Sequence, residues 1–412
     1  RDPVSAACLE KAKKKRFLES CTTAPACCWA KTSGMRFRYA LASVIFGTVG
    51  GLLQHAISLV RHRGIRGDAR VRVTMNALSV SLVGVGSVTP DQTLTNEDLS
   101  TFIETSDDWI SQRTGISRRS ILRSDEKLSS LATTAGLEAL AAASVDPTSV
   151  DLVILATSSP DDLFGDATTV ATGVGADKAV AFDLTAACSG FLFAVVTASQ
   201  FLETGCYETA LVVGADALSR WVNWSDRNTC VLFGDGAGAI VLKRNNVAPG
   251  ILGFAMHSDG KDQCKLTLGY AGSPQKLAIS NKPCEVSVSN GGYAPIGMNG
   301  KDVYKFATRE VPLVIEAALE KANLHVDDID WLLLHQANIR IMEAVANRIG
   351  MPTSKIINNL SEHGNTSAAS IPLALHHAVK SGKVLPGHLI ASAGFGAGLS
   401  SGAAILRWDG AP

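Results

Sequence analysis

The 412-residue sequence lacks several features, and each lack removes a class of function. It has no net charge, with 38 Lys and Arg against 38 Asp and Glu, so nothing in the balance points to a nucleic acid partner. Its nine cysteines form no C-x-x-C pair and no Cys/His ligand spacing, which leaves neither a zinc site nor a disulfide framework to expect. The uncharged, mostly apolar run from Tyr39 to Leu53 stops short of the ~20 residues a spanning helix needs. The Gly84-x-Gly86 pair does not continue as a dinucleotide-binding fingerprint, because Thr89, Pro90 and Asp91 break the chain where a helix should begin; it reads as a turn.

What is present is material for one large core or two medium domains, with 46% hydrophobic residues. The charge is split along the chain. Residues 1–77 hold 14 Lys and Arg against 4 Asp and Glu, a balance of +10, and residues 78–412 hold 38 − 14 = 24 against 38 − 4 = 34, a balance of −10. Residues 1–77 therefore read as a targeting leader. Met35 to Arg38 is a charged start, Tyr39 to Leu53 a signal-like run, and Arg61, Arg63, Arg66, Arg70 and Arg72 follow with Asp68 as the only acid among them. A signal-like segment followed by a transit-like one suits delivery to a plastid bounded by extra membranes, with no stable membrane insertion of the mature body. A retained membrane anchor is the alternative.

The body alternates helix and strand, which makes it α/β. Strands are expected at Leu78 to Val85, Leu152 to Ala156, Ala179 to Leu184 (buried), Thr209 to Val213 and Ile329 to Leu334, and helices at Leu128 to Ala143 and Val303 to Leu324. Gly238 to Lys243 is answered by Gly402 to Arg407, each run after a glycine-rich corner. Two similar halves, 78–246 and 247–412, packed face to face with a site between them, are expected.

Three corners carry candidate chemistry. In the first, a short strand ends in small residues and Cys188 precedes a helix of apolar spacing, so its sulfur meets the positive end of a helix dipole, which favours thiolate. A small cysteine packed under a helix is the alternative. In the second, a buried strand ends at His335; in the third, Asn365 stands in a Gly-Asn-Thr turn. Each alone is as readily structural, but all three fall where strands give way to helices. Trp109 and Arg113, four residues apart, put an aromatic face and a guanidinium on one side of a helix, which suits a base and a phosphate as well as it suits ordinary packing.

The stretches DLTAACSGF around Cys188, HQAN with Arg340, and HGNTSAASIP around Asn365 resemble the three active-site motifs of the beta-ketoacyl-acyl carrier protein synthase III family. SDDWISQRTGI, FGDGAG and the terminal glycine loop support the resemblance, which runs from about Leu78 to Trp408. It implies a thiolase fold, two similar α/β halves in a layered αβαβα sandwich, and usually a homodimer. It implies condensation of acetyl-CoA with malonyl-acyl carrier protein at Cys188, His335 and Asn365, with no cofactor beyond those substrates. An oxyanion hole from the backbone of Cys188 and Ala397 is implied, with alanine where the family generally has glycine. The resemblance further implies coenzyme A contacts at Trp109, Arg113, Arg227, Lys301 and Tyr304, a primer pocket at Phe164 and Phe395, and carrier-protein docking at Arg340 and Arg348. Asn228, Lys301 and Tyr304 depart from the usual family residues. A related thiolase-fold acyltransferase or thioesterase, and a non-catalytic carrier-protein scaffold, are the alternatives.

Overall fold

The computed structural model describes residues 79–245, 248–278 and 286–411. The leader expected over residues 1–77 lies outside the described residues, as do Leu78 and the expected boundary between the halves at residues 246 and 247.

Two sheets carry the body. The first contains β1 (Ser79–Val88), β2 (Leu152–Ala156), β3 (Val180–Leu184), β4 (Thr209–Ala217) and β5 (Asp235–Asn245) in the order β1-β5-β4-β2-β3. β5 is antiparallel to both β1 and β4, and β2 is parallel to both β4 and β3. The second contains β6 (Ile251–Ser258), β7 (Trp331–Leu334), β8 (Leu389–Gly396) and β9 (Ser400–Arg407) in the order β6-β9-β8-β7. Its pairings run antiparallel, antiparallel, parallel, the same succession as β1-β5-β4-β2. The counterpart of β3 is reduced to one parallel bridge between Leu332 and Ile356. The short sequence repeat falls on β5 and β9, which hold equivalent places.

Six helices fix the layers: α1 (Asp107–Thr114), α2 (Leu128–Ala142), α3 (Gly190–Glu203), α4 (Gly300–Ala322), α5 (Ile339–Arg348) and α6 (Ser370–Lys380). α3 and α6 lie between the sheets. Phe191, Leu192 and Val195 of α3 and Ile371 and Leu375 of α6 share one core with Val212 and Ile240 of the first sheet and Ile390 and Ala404 of the second. α2 covers the outer face of the first sheet, Ala132, Ala135 and Ala139 packing with Leu211, Val213 and Val241. α4 and α5 cover the second, through Val311, Ile315, Met342 and Val345 against Ala391, Ala403 and Ile405. Helix, sheet, helix, sheet, helix follow one another, as the expected sandwich requires. Among the described residues no helix is long and apolar enough to cross a membrane.

Two expectations are corrected. Gly84 and Gly86 are not in a turn but inside β1, and α2 lies on their backbone: a Cβ at Gly84 would stand 2.4 Å from the Ala139 oxygen, and one at Gly86 2.4 Å from the Ala139 nitrogen. The glycines are there for close approach of helix to strand. The strand ending before Cys188 is not buried but is the edge of its sheet, with β2 as its single neighbour and Val180 48% exposed. Its one acid caps a helix: Asp183 accepts from the backbone N–H of Asp166 and Ala167, at the start of the helix Ala167–Val174.

Candidate active site

β3 delivers the chain to a tight corner. Ala187 adopts φ +48°, a left-handed conformation that costs a non-glycine residue of order 1 kcal/mol. One 3₁₀ turn, Ala187–Ser189, then leads into α3. Cys188 in that turn is 7% exposed, and the Ser367 hydroxyl donates to its Sγ at 3.3 Å. Burial pushes the thiol up to about 12; Ser367 opposes the rise and the charge of Asp216 adds to it. The helix-start argument for a resting thiolate is thereby corrected: burial of the sulfur raises the thiol well above its ordinary value, and Cys188 rests as a thiol.

β7 ends at His335, whose backbone N–H donates to the Ala393 carbonyl and whose Nδ1 meets Ser370 Oγ at 2.7 Å. Ser370 Oγ also accepts from the Gln336 N–H, and among the described residues the acceptor for the hydroxyl's own hydrogen is Nδ1. That assigns the tautomer: Nε2 carries the proton and is a donor. Burial pulls His335 down to about 3, so the ring is neutral at physiological pH. Its edge contacts Phe395, ring centres 5.4 Å apart.

Asn365 is clamped by its backbone. Its N–H donates to the Leu232 carbonyl and its carbonyl accepts from the Gly234 N–H. Its Oδ1 accepts from the Ser367 N–H at 2.9 Å, which leaves the amide NH2 as the free donor end. Cys188, His335 and Asn365 line one cavity of about 220 Å³, in which a thiol, an uncharged imidazole N–H and an amide N–H are brought together.

The same cavity reaches outward to Trp109, Arg113, Arg227 and Tyr304. The guanidinium carbons of Arg113 and Arg227 stand 4.6 and 4.8 Å from the Trp109 ring centre, and Arg227 also donates to the Glu104 carbonyl. Phe395 lines this cavity as well, whereas Lys301, on the first turn of α4, is exposed and outside its lining. A second cavity of about 730 Å³ opens on the other side of Cys188, lined by Ala397, Phe164, Leu163, Leu218, Phe233, and the edge-packed pair Trp221 and Tyr293. Phe164 is fully exposed. Arg340 and Arg348 are exposed and line neither cavity. Arg340 instead donates through Nε and one Nη to the Gln112 carbonyl in α1, and Arg348 to the Thr308 carbonyl in α4.

The terminal loop closes the site from the second half. A Cβ on Gly396 would lie 2.7 Å from the Cys188 nitrogen, so only glycine lets this backbone approach the nucleophile. Ser189 Oγ meets Ser400 Oγ at 2.6 Å, and Ser400 bonds the Ala397 carbonyl, pinning the loop to the cysteine turn. Sequence reasoning did not single out Ser189, Ser367, Ser370, Ser400 or Asp216. Ser189, Ser367 and Ser370 lie inside the motifs already noted; Asp216 lies beyond the strand expected at Thr209 to Val213 and outside every motif. Among the described residues no group of three or more His, Cys, Asp or Glu could hold a metal ion.

Comparison with known proteins agrees with this geometry. The family signature described as 3-Oxoacyl-[acyl-carrier-protein (ACP)] synthase III matches residues 182–260, and that of its C terminal part residues 319–408. The beta-ketoacyl-[acyl-carrier-protein] synthase III of Thermosynechococcus vestitus is 56% identical over 335 residues, covering 81% of this chain and all of that protein. The chain belongs to the beta-ketoacyl-acyl carrier protein synthase III family. The synthase III of Microcystis aeruginosa is likewise 56% identical, over 80% of this chain and 98% of its own length. The crystal structure of the synthase III from Aquifex aeolicus superposes with a TM-score of 0.73 at 39% identity, over 80% of this chain and 100% of that one. The fold is thus the thiolase fold of these synthases.

Proposed function

We propose that this synthase III family member condenses acetyl-CoA with malonyl-acyl carrier protein to acetoacetyl-acyl carrier protein, the first condensation of type II fatty-acid synthesis. The observation that carries the reading is the meeting, in one cavity, of Cys188 with two neutral donors, His335 Nε2 and the Asn365 amide. In the first half-reaction the Cys188 sulfur bonds the acetyl carbon, the bond to the coenzyme A sulfur breaks, and coenzyme A leaves to be protonated as its thiol. The backbone N–H groups of Cys188 and Ala397 receive the oxyanion. In the second, malonyl-acyl carrier protein loses CO2 and the electron pair moves onto the thioester oxygen. His335 and Asn365 donate to that oxygen; the resulting carbanion attacks the acetyl carbon and Cys188 is released. A histidine held neutral by burial suits this role, because it donates without becoming a base that competes for the proton.

Coenzyme A is assigned to Trp109, Arg113, Arg227, Lys301 and Tyr304, with the adenine against Trp109. The primer is assigned to the larger cavity at Phe164, with Phe395 beside the cysteine, and the carrier protein to Arg340 and Arg348. A homodimer is supported by edge strand β3, with its partly exposed apolar side chains, and by the fully exposed Phe164. No cofactor is needed beyond the substrates. Residues 1–77 are read as a removable leader ahead of halves 78–246 and 247–412, and plastid residence is supported by that leader's charge and by the cyanobacterial relatives. The deciding experiment is mass spectrometry after acetyl-CoA alone. One acetyl group on Cys188, absent from Cys188→Ser, is expected; an unmodified Cys188 would refute the reading.

A further inference from the structure

Asp216, at the end of β4, is fully buried, and the condensation as described makes no use of it. Its Oδ1 accepts from the Ser158 N–H at 2.7 Å, Ser159 Oγ at 2.8 Å and Thr157 Oγ1 at 3.3 Å, all on the loop after β2. Its Oδ2 accepts from the Ala368 N–H at 3.1 Å, and the hydroxyl of the preceding residue, Ser367, is a neighbour that favours the ionised carboxylate. Ser367 is held at φ +51°, a left-handed conformation that persists only where surroundings enforce it. The same hydroxyl reaches Cys188 Sγ at 3.3 Å. Thiol, hydroxyl and carboxylate thus follow one another in a buried row.

We propose that the Cys188 thiol passes its proton through the Ser367 hydroxyl to the Asp216 carboxylate, so that the nucleophile is activated by a buried acid that never touches substrate. The inference rests on Cys188 being the acylated residue. Before transfer the Ser367 hydroxyl, which at rest donates to Sγ, turns its hydrogen to Asp216 and accepts from the Cys188 S–H. For attack, the S–H bond breaks and Ser367 gains that hydrogen while its own goes to Asp216. Ser367 then donates to the thiolate and accepts from the protonated acid. One negative charge moves from oxygen to sulfur, and no second charge is buried. After acetyl transfer Asp216 keeps the proton, and the coenzyme A thiolate takes one from water. When condensation releases the Cys188 thiolate, the proton returns by the same line and the resting state is restored. Burial raises both Cys188 and Asp216 above their ordinary values, as it must for two acids that share one charge.

The groups facing Cys188 and Asp216 are the hydroxyls of Thr157 and Ser159 after β2, Ser367 before α6, and His335 and Asn365 across the cavity. Of these only His335 titrates, and at about 3 it stays neutral through the neutral range. The pair therefore predicts a pH signature. Thiolate made by internal transfer does not depend on hydroxide, whereas thiolate made by loss to solvent grows tenfold per pH unit below its pKa. Alkylation by iodoacetamide, followed at Cys188 by peptide mapping because Cys206 and Cys264 are exposed thiols, should vary less than about twofold between pH 6.5 and 8.5 in the wild type. In Asp216→Asn and in Ser367→Ala it should rise about 100-fold over the same two units, and the double variant should behave like either single one. Ser367→Ala adds no bulk and serves if Asp216→Asn does not fold. A slope of one in the wild type, or flat profiles in the variants, would overturn the proton path. Acetylation by acetyl-CoA is measured in parallel: if wild-type Cys188 takes no acetyl group, the reading of the nucleophile fails, while the alkylation profile still decides the path.

Discussion

The turn at residues 186–190 and the turn at residues 366–370 occupy equivalent places in the two halves. Each follows the outermost extended segment of its half, β3 in one and the single bridge at Ile356 in the other. Each has a non-glycine residue forced to positive φ, Ala187 at +48° and Ser367 at +51°. Each makes one 3₁₀ turn and enters a central helix, α3 or α6. A Cβ at Gly190 would stand 4.0 Å from Ala368 Cβ, so the turns face one another. Their strands differ near their ends: β4 carries, one residue before its last, Asp216, which fills the Ala368 N–H, while β8 ends on Gly396, which sets no side chain against the Cys188 N–H. Equal backbones thus serve opposite ends. One turn is a closed polar anchor; the other has no side chain set against its N–H.

The most severe way to break this comparison is to exchange the two turns' side chains. Moving the thiol across, as Cys188→Ala with Ala368→Cys, should give no acetyl-enzyme and a loss of roughly 10⁴-fold or more in turnover, the scale for deleting a nucleophile. The new thiol would sit in the same backbone, but its N–H is occupied by Asp216. Mass spectrometry showing acetyl on the new cysteine would mean that the halves are interchangeable and that Asp216 does not mark the difference.

A smaller loss should follow from removing one donor on the far side of the cysteine. Asn365→Ala takes away the amide but leaves Cys188 and its turn, so decarboxylative condensation should fall roughly 10²-fold while acetylation of Cys188 continues. The half-reactions then separate cleanly in CO2 release against acetyl-enzyme formation. The surviving donor is His335, pulled down to about 3 by burial; its imidazolium form is absent above about pH 5, and the residual condensation should show no step from it between pH 5 and 8. A titration near 6.5 would mean a solvated histidine. Equal loss in both half-reactions would mean that Asn365 holds the turn and nothing more.

The sequence made some of this legible and hid the rest for physical reasons. Leu152–Ala156 reads correctly as a strand because all five of its residues are buried, and the β5 and β9 repeat shows because both strands are sealed in the core. β3 misreads as buried because an apolar run does not tell a core strand from a sheet edge, where only one neighbour exists. Gly84 and Gly86 misread as a turn because the helix that needs them lies some fifty residues away in the chain. Cys188, His335 and Asn365 are legible from their motifs. Asp216 is not, since an acid in a strand gains meaning only from the four donors that folding gathers round it.

The mildest effect should appear on the outer surface, where the halves differ in charge. The helix after β2, Ala167–Val174, carries no charged residue, whereas its counterpart after β7, α5, carries exposed Arg340 and Arg348. Carrier proteins are acidic and residues 78–412 sum to −10, so docking needs a locally basic face against long-range repulsion. Eight residues apart on a helix, the two arginines differ by about 80° in azimuth and share one side. They are not equivalent in their ties. Arg340 makes two bonds to the Gln112 carbonyl of α1, the helix that carries Trp109 and Arg113, and Glu at that position has no donor to replace them. Arg340→Glu is therefore expected to raise KM for both malonyl-carrier protein and acetyl-CoA. Arg348 makes one bond, at 3.3 Å to the Thr308 carbonyl, so Arg348→Glu should raise KM for malonyl-carrier protein several-fold and leave acetyl-CoA unchanged. The wild-type carrier-protein reaction should slow as salt rises, because charges are screened beyond ~8 to 10 Å, and the Arg348→Glu enzyme should slow less. If both variants kept wild-type KM for malonyl-carrier protein at low salt, the basic face of α5 would not be the docking surface.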